Sequence, residues 1–244
     1  MARTFQIPLR PAGRLALGLT VWAIYLADRI LDTRTAPYPA EPARHRAYRD
    51  YPRTAAALLA LALAADLAVS LELLRPQVFR NGLLVLAGVT LYLGALHALP
   101  GNLRVPKELL VAALFTVGTF LVAITNSPAP WHTLWRPASA YFLMCLANLV
   151  AIDFWEWREL RGALPNDANR IIVRLGRCYL CWVPALAITC AWEGMQGGSR
   201  WYQAIAASLF ATIFLYVVDR RWPLDLRRAL VDGVLFMPAL FLVC

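Results

Sequence analysis

Apolar residues in this chain occur in long runs, and short polar stretches rich in arginine and proline separate them. A helix needs about 20 mostly apolar residues to cross the ~30 Å hydrocarbon core of a bilayer. Eight runs reach or approach that length. They cover residues 13–31, 54–74, 80–99, 107–125, 133–152, 177–193, 201–218 and 227–244. The pattern predicts an all-α, polytopic membrane bundle of about eight transmembrane helices.

The stretches between the runs carry ordinary turn residues. Pro37, Pro39 and Pro42 mark a long first loop, and Pro100-Gly101 follows the third run. No internal repeat and no separate soluble segment stands out. We therefore expect residues 1–244 to form a single integral-membrane domain.

Composition agrees with a lipid environment. The chain is 60% hydrophobic and only 16% charged, whereas a soluble domain is about half apolar and about a quarter charged. A soluble fold of this composition would lack the polar surface needed to cover its core. The net charge of +9 is scattered over the loops and forms no basic stripe or motif for nucleic acid. Membrane lipid is thus the expected partner, and nucleic acid is not.

The basic residues also predict an orientation. Most of them, including Arg227 and Arg228, lie after the first, third, fifth and seventh runs. The positive-inside rule places those loops in the cytoplasm and both termini outside, with the protein in the inner or plasma membrane. Arginines near the N-terminus (Arg3, Arg10 and Arg14) oppose this orientation.

Two acidic pairs follow apolar runs: Asp28 with Asp32, and Asp153 with Glu156. Their spacings of four and three residues put each pair on one helical face. Because four runs separate the pairs, both emerge on the same membrane side, predicted to be cytoplasmic. Paired carboxylates offer the oxygen ligands that Mg²⁺ prefers. Alternatively, each pair is an interfacial group beside an arginine.

Other polar residues fall where a membrane protein seldom places them by chance. Asp66 lies in the middle of the second run, where a charge is costly and faces a cavity or a partner. Asn148 and Trp155 are further candidate cavity residues. Trp155 either shields a cationic intermediate or joins the interfacial aromatic belt. Arg104 and Lys107 precede the fourth run on the carboxylate side, where they either neutralise a diphosphate or mark the interface.

This arrangement resembles the UbiA superfamily of intramembrane prenyltransferases, which has two Asp-rich motifs at the cytoplasmic ends of its second and sixth helices among nine. The four-run separation, with three runs after the second pair, corresponds to that family without its first helix. Against the family motif Asn-Asp-x-x-Asp, Asp28 stands at the Asn, Arg29 at the first Asp and Asp32 at the second. The second motif is Asp153-x-x-Glu156, with Trp157 at the usual second Asp.

The resemblance implies transfer of a prenyl group from an isoprenoid diphosphate to a lipophilic acceptor held in the membrane, with Mg²⁺ as cofactor. Its implied metal ligands are Asp28, Asp32, Asp153 and Glu156. Its implied diphosphate ligands are Arg29, Arg104 and Lys107. Two alternatives remain: a non-catalytic lipid- or isoprenoid-binding protein on the same scaffold, which Arg29 favours, and a small transporter with Asp66 on its pathway.

Overall fold

The computed structural model describes residues 11–32, 48–98, 107–126, 131–159, 170–218, 222–235 and 237, and the regular elements of these segments are helical. In chain order the helices are α1 (Pro11–Asp32), α2 (Pro52–Leu73), α3 (Pro76–Ala98), α4 (Lys107–Asn126), α5 (Trp131–Glu159), α6 (Arg170–Arg177), α7 (Tyr179–Gln196), α8 (Arg200–Val217) and α9 (Leu224–Val234).

Several of these helices are long and apolar enough to cross a membrane. Within the described segments three qualify directly: Pro52–Leu73, Glu108–Thr125 and Thr133–Glu159. A fourth span results if the bent pair Ile171–Arg177 and Tyr179–Gln196 counts as one. The all-helical class and the presence of helices that can span a membrane are therefore confirmed.

The sixth predicted run corresponds to α7, and a short helix, α6, precedes it at an angle. The chain breaks at Cys178, and α6 and α7 meet at 73°. The physical reason lies in α6, where Arg174 and Arg177 are exposed while Ile172 is buried. A helix with such a polar face does not continue an apolar span, so its direction changes where the apolar sequence begins. The eighth predicted run is helical in α9 as far as Val234, and residues 238–244 lie outside the described segments.

The described residues divide into two compact units, one within Leu9–Leu84 and one within Val85–Cys244. The expectation of a single domain stays a prediction. In the Leu9–Leu84 unit, α1 packs along α2 through small side chains, with Ala16 and Ala23 buried on one helix and Ala55 and Ala62 on the other. Small residues let two membrane helices approach closely.

The outward side of α2 is covered with large apolar side chains. Leu61, Leu67 and Leu71 are each more than half exposed. Hydrophobic side chains exposed to this degree along one helix fit contact with lipid rather than water. On the side that faces α1, the Thr20 hydroxyl donates a 2.7 Å hydrogen bond to Asp66.

Helix α5 is the centre of the Val85–Cys244 unit and contacts α4, α6, α7, α8 and α9. Its buried residues include Ala147, Val150 and Ala151, whose small or compact side chains let neighbours pack closely on several sides. Toward its start, Tyr141 packs with Phe120 and Trp201 at ring-centroid distances of 6.3 and 5.6 Å. The carboxylates of α5 lie toward its other end.

Helices α7 and α8 form a hairpin within the same unit. Gly198, in the connection, has φ +59°, a left-handed conformation that glycine adopts without strain. Gly194 lets Gln203 approach so closely that an added Cβ would lie 2.8 Å from its Cγ. The Gln203 amide donates a 3.0 Å hydrogen bond to the Gly194 carbonyl. This hairpin places Tyr216, near the end of α8, beside the acidic end of α5.

Candidate functional site

The acidic sequence after the fifth apolar run lies within α5, because the helix continues to Glu159. Asp153, Glu156 and Glu159 thus occupy its last two turns. Asp153 and Glu156 are half-buried, and Glu159 is exposed. The helix carries these carboxylates to the end of the Val85–Cys244 unit, where α9 crosses α5.

Two buried arginines of α9 meet these carboxylates. Arg227 and Arg228 are only 2% and 5% exposed. The Arg228 Nη2 atom lies 2.5 Å from Glu156 Oε1, and Arg227 forms an ion pair with Glu159. Arg228 also contacts Asp225 on its own helix at 3.1 Å. Since a buried arginine is costly unless it is paired, these contacts explain why α9 packs its charged turn against α5.

The partners in these ion pairs differ in exposure. The side chains of Arg227 and Arg228 are 3% and 6% exposed, whereas that of Glu159 is 42% exposed and that of Glu156 is 22% exposed. The guanidinium groups therefore form the inner part of the cluster, and the carboxylates form its outer part.

Aromatic rings line the inner part. Trp155 is fully buried, and the Arg227 Cζ atom lies 5.5 Å from its ring centroid, within the range of a cation–π interaction. The Trp155 ring stacks with Tyr216 at 6.0 Å. Trp157 makes a similar contact with Arg177 at 5.4 Å. Trp155 is thus a core residue beside a cation, which is not the position of an interfacial belt residue.

The stack continues onto α6 and α7. The Tyr179 and Tyr216 rings lie 4.1 Å apart and nearly parallel. The Tyr216 hydroxyl donates a 2.7 Å hydrogen bond to the Gly176 carbonyl, and the ring of Phe154 fills the space that a side chain at position 176 would need. These contacts fix α6 and α8 against the end of α5.

Buried polar atoms accompany the cluster. The Asn148 amide donates a 2.6 Å hydrogen bond to the Val231 carbonyl. This bond joins α5 to α9 about two helical turns before Glu156. Several buried atoms near this junction make no hydrogen bond within the described segments. Among them are Asn148 Oδ1, Trp155 Nε1, Tyr179 Oη and Arg228 Nε.

The structure places the predicted site residues as follows. Helix α5 carries Asn148, Asp153, Trp155 and Glu156 toward the same end of its bundle. Asp66 belongs to the Leu9–Leu84 unit, where Thr20 is its partner. The side chains of Asp28, Arg29, Asp32 and Lys107, and all of Arg104, lie outside the described part of the chain. The expectation that both acidic pairs share one site therefore stays a prediction.

The described half of the predicted metal site does not fit Mg²⁺ as it stands. No group of three or more His, Cys, Asp or Glu residues able to hold a metal ion occurs among the described residues. The Glu156 carboxylate is already engaged by Arg228, and a divalent cation there would be repelled by a guanidinium. The groups buried at this end of α5 are the guanidinium groups of α9, which lie beside aromatic rings.

Reasoning from sequence did not single out Arg227, Arg228 or Tyr216 as site residues. The positive-inside rule assigns these arginines to orientation, but in the structure they pair with α5 carboxylates about 70 residues away along the chain. No local sequence signal marks them, because adjacent helical positions differ by about 100° and both side chains fit on a solvent-facing side.

Comparison with protein-family models, with curated proteins and with solved structures finds no match to this chain.

Proposed function

We propose that this chain is a UbiA-like integral-membrane protein that binds an isoprenoid diphosphate and transfers its prenyl group to a lipophilic acceptor held in the membrane. The observation that carries the proposal is the end of α5, where carboxylates, buried arginines and aromatic rings meet at the end of a helix apolar enough to span the bilayer. An isoprenoid diphosphate has matching parts, an apolar chain and an anionic head.

The proposal includes a topology. Eight spans, with the acidic motifs in the cytoplasm and both termini outside, agree with the distribution of basic residues. The inner or plasma membrane is the proposed location, and one membrane domain of residues 1–244 is the proposed organisation.

The chemistry follows from charge separation. When the bond between the prenyl C1 and the diphosphate oxygen breaks, the electron pair leaves with the diphosphate and C1 becomes cationic. Arg29, Arg104 and Lys107 are proposed to neutralise the leaving group. Trp155, which is buried near the end of α5, is the aromatic residue proposed to stabilise the cationic C1. The acceptor then bonds to C1 and loses a proton.

The test supplies purified full-length protein in nanodiscs with labelled farnesyl or geranylgeranyl diphosphate and a panel of lipophilic membrane acceptors, with Mg²⁺ or with a chelator. We expect saturable binding and release of pyrophosphate. Asp32→Asn and Asp153→Asn should abolish turnover, whereas Glu193→Gln, an exposed acid at the end of α7, should not. Absence of binding, together with no loss of substrate with any acceptor, would reject the proposal.

A second candidate is a non-catalytic isoprenoid- or lipid-binding protein on the same scaffold. The ion pairs of Glu156 and Glu159 with arginines favour it, because carboxylates engaged in this way are not available to a metal ion. It predicts binding of the diphosphate without turnover. It also predicts that Asp32→Asn and Asp153→Asn leave that binding intact, in contrast to the loss of turnover expected of the enzyme.

A further inference from the structure

The junction of α5 and α9 contains buried hydrogen-bond donors that no acceptor among the described residues satisfies. Arg228 directs its two Nη atoms at Glu156 and Asp225, while its Nε–H has no acceptor among the described residues. The indole N–H of Trp155, fully buried beside Arg227, has none either. Buried donors without acceptors are destabilising, and native structures contain few of them. A ligand rich in acceptor oxygens would satisfy both.

Guanidinium groups are also concentrated on the buried side of this junction, with the carboxylates that balance them on its outer side. Arg227 and Arg228 are adjacent, and the charge of Arg158 on α5 also acts on Arg227. Both of these neighbours repel the Arg227 charge, and once Glu156 and Glu159 have turned away, an anion with several oxygens would compensate it. Arginine also matches phosphate geometrically, because its planar group donates two parallel hydrogen bonds.

The carboxylates now paired with these arginines are able to leave. Glu156 and Glu159 are the more exposed member of each pair, and the arginines are the buried member. When either glutamate rotates outward, its carboxylate regains water, and the buried arginine that it leaves needs the incoming anion as its new partner. The guanidinium groups would keep their places in the packed interior during such a rotation.

We propose that Arg227, Arg228 and the indole N–H of Trp155 form a binding site for a phosphoryl oxyanion, which Glu156 and Glu159 cover until the anion displaces them. The site is built by α5 and α9 and needs none of the predicted diphosphate ligands. Its ligand class is a phosphate or diphosphate group, either free or as the head of a lipid.

A purely structural role for these ion pairs makes a different prediction. If they only hold α9 on α5, removal of either partner lowers stability and neither changes the affinity for an anion. If they cover a site, the two partners have opposite effects: loss of the glutamate strengthens anion binding, and loss of the arginine weakens it. A gain of affinity cannot result from misfolding.

The experiment is calorimetric titration of inorganic pyrophosphate into the full chain in nanodiscs of zwitterionic lipid. We expect saturable binding by the wild type, about tenfold tighter binding by Glu156→Gln, and at least about tenfold weaker binding by Arg228→Gln. Arg200→Gln, an exposed arginine at the start of α8, is the matched control and should bind as the wild type does. If Arg228→Gln does not fold, Arg228→Lys retains the charge, loses the planar group and should also bind more weakly.

The proposal is overturned if neither the wild type nor Glu156→Gln binds pyrophosphate, or if Arg228→Gln binds it as tightly as the wild type.

A second arm of the experiment distinguishes the source of the oxyanion. In nanodiscs of phosphatidylglycerol, a lipid headgroup that occupies the site should compete with pyrophosphate in the wild type and in Arg200→Gln alike. Unchanged affinity there assigns the site to a soluble or isoprenoid diphosphate. Because pyrophosphate has no prenyl chain, failure of prenyl transfer leaves this result unaffected.

Discussion

Replacement of Gly176 by alanine would place a methyl group against the ring of Phe154. An added Cβ would lie 2.4 Å from Phe154 Cδ2 and 2.6 Å from Cγ, whereas carbon atoms in contact are about 3.5–4.0 Å apart. The ring has little freedom to retreat. It stacks with Trp157 at 5.6 Å and with Tyr216 at 6.1 Å, and the Tyr216 hydroxyl is bonded to the Gly176 carbonyl.

The magnitude follows from two opposing effects. Overpacking of this kind costs about 1–3 kcal/mol. Alanine in place of glycine inside a helix returns up to about 1 kcal/mol, and less at position 176, next to the end of α6. We expect Gly176→Ala to lower the free energy of unfolding by about 1–2 kcal/mol. For a chain of 244 residues this corresponds to a fall in Tm of about 2–8 °C.

The assay is thermal unfolding of the purified protein in detergent, followed by circular dichroism. Gly88→Ala is the matched control, because a Cβ at that position of α3 meets nothing within 4 Å. It should leave Tm unchanged or raise it. If Gly176→Ala is as stable as Gly88→Ala, the ring of Phe154 is free to move and the packing argument is wrong.

Two further substitutions test single hydrogen bonds. Tyr216→Phe keeps the ring stack and removes the hydroxyl bonded to Gly176, so it should lower the free energy of unfolding by about 1 kcal/mol; a value near zero would show that this bond contributes nothing. Thr20→Val is nearly isosteric and removes the hydroxyl that donates to Asp66. It should lower the free energy of unfolding by about 1–3 kcal/mol. Addition of Asp66→Asn to this variant should restore part of the loss. Full stability of Thr20→Val would contradict a structural role for that bond.

Local features of the sequence predicted the all-helical class and the presence of helices that can span a membrane, but not the contacts between distant segments. The run of apolar residues before Asp153 and the absence of a breaker up to Glu159 were enough to predict the long α5 and its acidic end. The bend at Cys178 was not predicted because α6 lies before the apolar run of residues 177–193 and has no long apolar run of its own. The mean hydropathy of a window indicates that a helix is present, but it does not indicate the angle that this helix makes with the one before it.

In the candidate site too, local spacing was predictable from the sequence and contacts between distant segments were not. Helical spacing put Asp153 and Glu156 on one face. Nothing in the sequence near Glu156 identifies Arg228 as its partner, since that pairing depends on how α9 crosses α5. Trp155 illustrates the difference for aromatic residues: its place near the end of an apolar run fitted an interfacial belt, yet packing of Tyr216 and Arg227 against it buries it completely.

The hydrogen bond between Thr20 and Asp66 has a consequence for biosynthesis. An aspartate at the centre of a helix costs about 3 kcal/mol when the translocon releases that helix alone into lipid. The uninterrupted apolar run of α1 covers only residues 15–27, so neither helix is an ideal substrate for insertion by itself. Helix α1 supplies a hydrogen-bonding partner for Asp66 of α2, and α2 supplies an apolar neighbour for α1. The two helices are therefore favoured to enter the bilayer together as a helical hairpin.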